Sequence, residues 1–175
     1  MPKQYILSCI LLTGCLWASR VLAQQSSPDS AAIPPFLIAL ENGVHFSKAQ
    51  LKPDKPFLLV YFSPTCEHCQ HFGQALSARI DQFKGAQIVM ITFRPLNEVT
   101  DFARTCHLQH TPVLLGSEGI RFEVQKYYNI NRFPFVAAYN RHGKLTGIYR
   151  DPPDLDRLRK DLFGKSTKTV VQKKS

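Results

Sequence analysis

Two cysteines three residues apart, Cys66 and Cys69, enclose Glu67 and His68. A cysteine sulfur attacks as the thiolate, so the setting of such a pair decides its chemistry. The run Phe57-Leu58-Leu59-Val60-Tyr61-Phe62 precedes it and reads as a short central strand buried on both faces. Behind it, Phe72, Leu76, Ile80 and Phe83 recur at spacings of 4, 4 and 3, which predicts a helix over 66–84 closed by Gly85. Cys66 is therefore expected where a helix begins, at unpaired N–H groups and a dipole that favours an anion. Cysteines three apart in a first helical turn face each other within bridging distance. Closing so short a loop restricts the unfolded chain by only ~2 kcal/mol, so a redox role suits the pair better than a structural one.

On this reading Cys66 is the nucleophile and Cys69, one turn further in, resolves the mixed disulfide. His68 adds a donor and, when protonated, a positive charge that favours the Cys66 thiolate; Glu67 opposes it and is expected to point into solvent. A c-type haem would require histidine directly after Cys69, where Gln70 stands. A copper or zinc site would recruit His68, His71, His107 or His110 beside the two thiolates, but neither a second CxxC nor a close histidine pair accompanies them. No metal and no cofactor is expected, and a non-catalytic copper-binding module using the same thiolates is the alternative. Cys106 is expected to be a small buried helix residue, with a third redox thiol or glutathionylation site as its functional alternative. Phe72 is assigned to the core, His71 to the surface, and Tyr127 and Tyr128 to packing against the sheet.

The chain has 175 residues, 44% of them apolar and 20% charged, enough for one domain with a real core. Collagen-like, disordered and small disulfide-scaffold classes are excluded. Lys3, the apolar stretch 6–18 and Val21-Leu22-Ala23 follow the order of a secretory signal peptide, predicted to occupy 1–23. The chain is thus expected to be exported and periplasmic. A rival reading takes Leu12-Thr13-Gly14-Cys15 as a lipobox and Cys15 as a lipidated membrane anchor. Of 22 basic residues the leader removes Lys3 and Arg20, leaving 20 against 13 acidic ones, and four of these are lysines in a tail over 164–175. The basic charge is scattered rather than interleaved with aromatics, so no nucleic-acid partner is expected.

Residues 24–35 are rich in Gln, Ser, Ala and Pro and read as a flexible lead-in to a domain over 36–163. A strand is predicted over 36–40, a turn at Glu41-Asn42-Gly43, a polar loop over 52–56, a second buried strand over 87–93 and a helix over 96–108. Strand, helix, strand, helix in this order implies parallel pairing with right-handed crossovers. A short helix over 120–128, a hairpin of strands 133–139 and 144–150 around Asn140-Arg141-His142-Gly143, and a closing helix over 154–163 complete an α/β domain.

Phe57–Cys69 (FLLVYFSPTCEHC), Tyr127-Tyr128-Asn129-Ile130, Phe133-Pro134-Phe135-Val136 and Asn140–Lys144 together resemble the thioredoxin superfamily, in particular the exported TlpA-like thiol-disulfide oxidoreductases. The resemblance covers about 36–163 and implies a thioredoxin fold, a central mixed sheet flanked by helices with an N-terminal strand extension. It implies a redox-active Cys66–Cys69 disulfide and a cis Pro134 beside it. The backbone at Phe133 would pair with the substrate chain. The partners it implies are cysteine-containing exported proteins and a membrane or soluble redox partner, with the protein itself a monomer. Two departures stand out: Pro64-Thr65 replace the aromatic residue ahead of the first cysteine, and Val60 occupies the position of a buried acid used as a proton relay. The His-Cys ending resembles oxidising members, with potentials of ~−180 to −120 mV against ~−270 mV for thioredoxin.

Overall fold

The structure is a computed structural model, and it describes residues 32–164. The leader and its Cys15, the lead-in as far as residue 31, and the tail from residue 165 lie outside the described residues. Seven strands form one mixed sheet in the order β2-β1-β5-β4-β3-β6-β7. They are β1 (Leu37–Leu40), β2 (His45–Ser47), β3 (Phe57–Tyr61), β4 (Gln87–Thr92), β5 (Leu114–Ser117), β6 (Phe135–Tyr139) and β7 (Leu145–Tyr149). β3, β4 and β5 are mutually parallel, joined by crossovers through α1 (Glu67–Ala78) and α2 (Leu96–Thr105). β6 and β7 form an antiparallel hairpin on one side, and β1 and β2 extend the sheet on the other. Helix α3 (Glu123–Tyr128) precedes β6, and α4 (Leu155–Phe163) closes the domain.

Alternation along β3 divides the core into two layers. Leu58, Val60 and Phe62 pack with Phe72 and Leu76 of α1, Phe102 of α2 and Leu155, Leu158 and Leu162 of α4. Phe57, Leu59 and Tyr61 face the other way, onto Phe36, Ile38, Val124, Tyr128 and Phe135. All five residues of β3 are buried, as a strand covered on both faces requires.

Several boundaries differ from expectation. The helix predicted over 66–84 ends at Ala78, and Ile80–Phe83 continue as a 3-10 turn. The tighter winding brings residues i and i+3 onto one side, so Ile80 still packs on the core beside the buried Phe83. The short helix over 120–128 is broken at Phe122, whose φ of +51° separates the 3-10 turn Gly119–Arg121 from α3. Strands β2 and β5 were not expected; they are three and four residues long and become strands by pairing, β2 with β1 and β5 with β1 and β4. The hairpin turn at Asn140–Gly143 is as expected: Asn140 Oδ1 accepts from the backbone of His142 and Lys144, and Gly143 takes φ +69°.

Candidate active site

β3 delivers the chain to one end of the sheet, where Ser63-Pro64-Thr65 turn it into α1. The Cys66 N–H donates to Ser63 O at 3.1 Å, and Cys66 O accepts from Gln70 N at 3.0 Å, so Cys66 is the N-cap of α1. Gln70 Nε2 donates back to Pro64 O at 2.9 Å and ties the turn to the helix. The first turn of α1, with its free N–H groups, thus begins at Cys66, whose sulfur makes no capping hydrogen bond to them.

The two cysteines occupy different environments. Cys66 is half-buried, whereas Cys69 is fully buried against the sheet. Burial pushes the Cys69 thiol well above its ordinary range; the adjacent Cys66 sulfur adds to this and a backbone hydrogen bond from Ser63 opposes it. Both sulfurs are free thiols. Glu67 and His68 are exposed on the outer side of the same turn, and His71 is exposed one turn further on.

Phe133–Pro134 is a cis peptide bond. The Phe133 carbonyl lies at the site, where it accepts from the Cys66 thiol at 3.7 Å. The loop before β6 and the start of α1 therefore meet at the sulfur, although 67 residues separate them in sequence.

Features absent from the sequence reading surround this contact. The Phe133 ring stacks on Tyr61 with centroids 6.0 Å apart and meets Phe93 at 6.1 Å, and Phe93 meets Phe122 at 5.8 Å. Phe93, Phe122 and Phe133 are each half-exposed, so an aromatic shelf leads from solvent to Cys66. Beneath it, the Tyr61 hydroxyl donates to Glu118 Oε1 at 2.5 Å, and Glu118 Oε2 accepts from Val124 N at 3.0 Å. Glu118 is only 2% exposed. Burial, reinforced by Glu118, pushes the Tyr61 phenol up. A tyrosine inside a fully apolar strand was the available signal, since a buried phenol requires a partner.

Cys106, the C-cap of α2, is fully buried beneath α1, with its sulfur 3.5 Å from Gln70 O. Burial pushes its thiol up to about 11. Of the histidines weighed as metal ligands, His107 sits at the end of α2 with its carbonyl accepting from Ser77 Oγ. Among the described residues no group of three or more His, Cys, Asp or Glu side chains could hold a metal ion, and no helix is long and apolar enough to cross a membrane.

No family model and no curated protein sequence matches the chain. Solved structures do. A secreted disulfide oxidoreductase of Mycobacterium tuberculosis, homologous to E. coli DsbE, aligns with a TM-score of 0.61 at 20% identity, covering 72% of this chain and 92% of that one. StoA from Bacillus subtilis aligns with a TM-score of 0.56 at 18% identity, covering 74% and 98%. A peroxiredoxin-like protein from Aquifex aeolicus aligns with a TM-score of 0.59 at 13% identity, covering 72% and 80%. Likeness at this level of identity establishes the architecture: the chain has the thioredoxin fold, with the Cys66–Cys69 pair where its central strand passes into its first helix.

Proposed function

We propose that the protein is an exported thiol-disulfide oxidoreductase that exchanges its Cys66–Cys69 pair with cysteines of other exported proteins. The observation that carries this reading is the asymmetry of the pair: a half-exposed sulfur at a helix N-terminus with a buried one behind it. The likeness to the secreted disulfide oxidoreductase of Mycobacterium tuberculosis supports it. The Cys66 thiolate attacks one sulfur of a substrate disulfide; a mixed disulfide forms and the substrate's other sulfur leaves as a thiolate. Cys69, once deprotonated, attacks Cys66 and displaces the second substrate thiolate. Two electrons pass to the substrate and the protein retains the disulfide. The reverse sequence donates a disulfide, and the partner's potential sets the direction.

An extended substrate segment would pair with the backbone at Phe133, ahead of cis Pro134, and place its cysteine at Cys66. The aromatic shelf would hold an apolar neighbour of that cysteine. Val60 supplies no acid beneath Cys69 and burial holds the Cys69 proton, so resolution of the mixed disulfide is the step that accelerates with rising pH.

The test is exchange with a disulfide-containing peptide. Cys66→Ser reduces turnover to background with the fold intact, and Cys69→Ser accumulates the mixed disulfide. Unchanged turnover of Cys66→Ser refutes the assignment. Tight stoichiometric Cu(I) uptake that needs both cysteines, without exchange, establishes the copper-binding alternative instead.

A further inference from the structure

The pole of the domain opposite Cys66 carries an uncompensated positive charge. The loop over 52–56 leads into the start of β3, and the turn Asn140–Gly143 lies beside it, because Phe57 pairs with Tyr139. Lys48, Lys52, Lys55, Arg141 and His142 line one shallow depression there, together with Ile33, Asp54 and Gly143. Lys144 follows directly in the turn, its carbonyl accepting from Asn140 N. All five lysine and arginine side chains are exposed. Asp54 is the one acidic residue lining the depression.

Five cations elsewhere on the surface are neutralised by a neighbour. Arg79, Lys84, Arg94, Arg104 and Arg132 each pair with an acidic residue. None of the five cations at this pole takes part in an ion pair among the described residues. Both ends of the described chain also meet here. Ile33 O accepts from Lys48 Nζ, and Gly164, after α4, shares a second depression with Asp54, Arg141 and His142. The sequence that continues from Gly164 holds four more lysines, at 165, 168, 173 and 174. From Pro56 to Phe62 the chain spans about 20 Å, so Cys66 stands at the far side of the domain.

We propose that this basic pole docks on an anionic phospholipid surface and so holds Cys66 facing away from the membrane. Clusters of four to eight Lys or Arg beside a membrane attract anionic headgroups, and the five exposed cations of the folded patch meet that requirement. Docking by this pole leaves Phe133 and the aromatic shelf open to solvent.

The test is flotation of the full chain with vesicles of phosphatidylcholine alone and of phosphatidylcholine mixed with phosphatidylglycerol. A cation near the surface is worth about fivefold in affinity, so Lys52→Gln/Lys55→Gln should weaken the phosphatidylglycerol-dependent binding about 25-fold. Binding to phosphatidylcholine alone and dithiol exchange in solution should stay unchanged, and added salt should abolish the difference between the vesicles. Equal affinity for the two vesicles overturns the proposal, as does a double variant that binds like the parent. It is also overturned if replacing Lys165, Lys168, Lys173 and Lys174 by glutamine removes all of the lipid dependence while the patch variant keeps it, or if a DNA duplex binds through the patch and the vesicles do not.

Discussion

Gly73 lies on the side of α1 that meets α2. A Cβ built there would stand 2.8 Å from Cys106 Sγ, 3.1 Å from Cys106 Cβ and 3.1 Å from Phe102 Cζ. Gly73→Ala therefore sets two effects against each other. Alanine is favoured over glycine inside a helix by about 0.5–1 kcal/mol. Forcing an extra carbon into a filled core costs about 1–3 kcal/mol. The neighbours have little room to yield: Cys106 is fully buried, and the Phe102 ring is held 4.3 Å from that of Phe62. Overpacking should win, and urea unfolding should show a loss of about 1–2 kcal/mol at an unchanged denaturant slope. Cys106→Ala removes the atom at 2.8 Å and leaves only the two milder contacts, so it should relieve the clash. The double variant should then be more stable than the sum of the two single changes predicts, by about 1 kcal/mol. A Gly73→Ala protein at least as stable as its parent, or strict additivity in the double variant, would refute the close approach of α1 and α2 beneath the cysteine pair.

Three further outcomes can be measured. Glu118→Ala orphans the Val124 N–H and leaves the Tyr61 hydroxyl with only Gln125 Oε1 at 3.3 Å, so thermal or urea unfolding should show a loss of about 2–3 kcal/mol, and Glu118→Gln a smaller one. Cys106 has a pKa raised from 9.0 to about 11, so the folded state keeps a proton that the unfolded chain releases across that window. Its contribution is complete below pH 9 and is lost as pH rises to about 11; the stability difference between the parent and Cys106→Ala should shrink by roughly 3 kcal/mol over that range, and a difference independent of pH contradicts the burial of this thiol. Asp154 caps α4 by accepting from Arg157 N at 2.9 Å, and Asp154→Ala should cost about 1 kcal/mol in the same unfolding assay.

Local pattern was enough for much of this protein. The unbroken apolar run at Phe57–Phe62 identifies a strand buried on both sides, because only a central strand has no face to give to water. The spacing of Phe72 and Leu76 places α1, and Asp154 with Leu155, Leu158 and Leu162 places α4, because both depend on contacts between residues three or four apart. The strand-to-helix setting of Cys66-Glu67-His68-Cys69 was legible for the same reason. Tertiary structure alone decided what meets that pair. The Phe133 carbonyl reaches Cys66, Glu118 lies under Tyr61, and Phe93 and Phe122 extend the aromatic row toward solvent, each through residues remote in sequence. Strand β5 shows the same limit: four residues become a strand by pairing with β4 and β1, and that pairing energy is not written in the segment itself. Periodicity records which side of an element is apolar; only the folded sheet determines which distant side chain lies against it, because that depends on strand order and register.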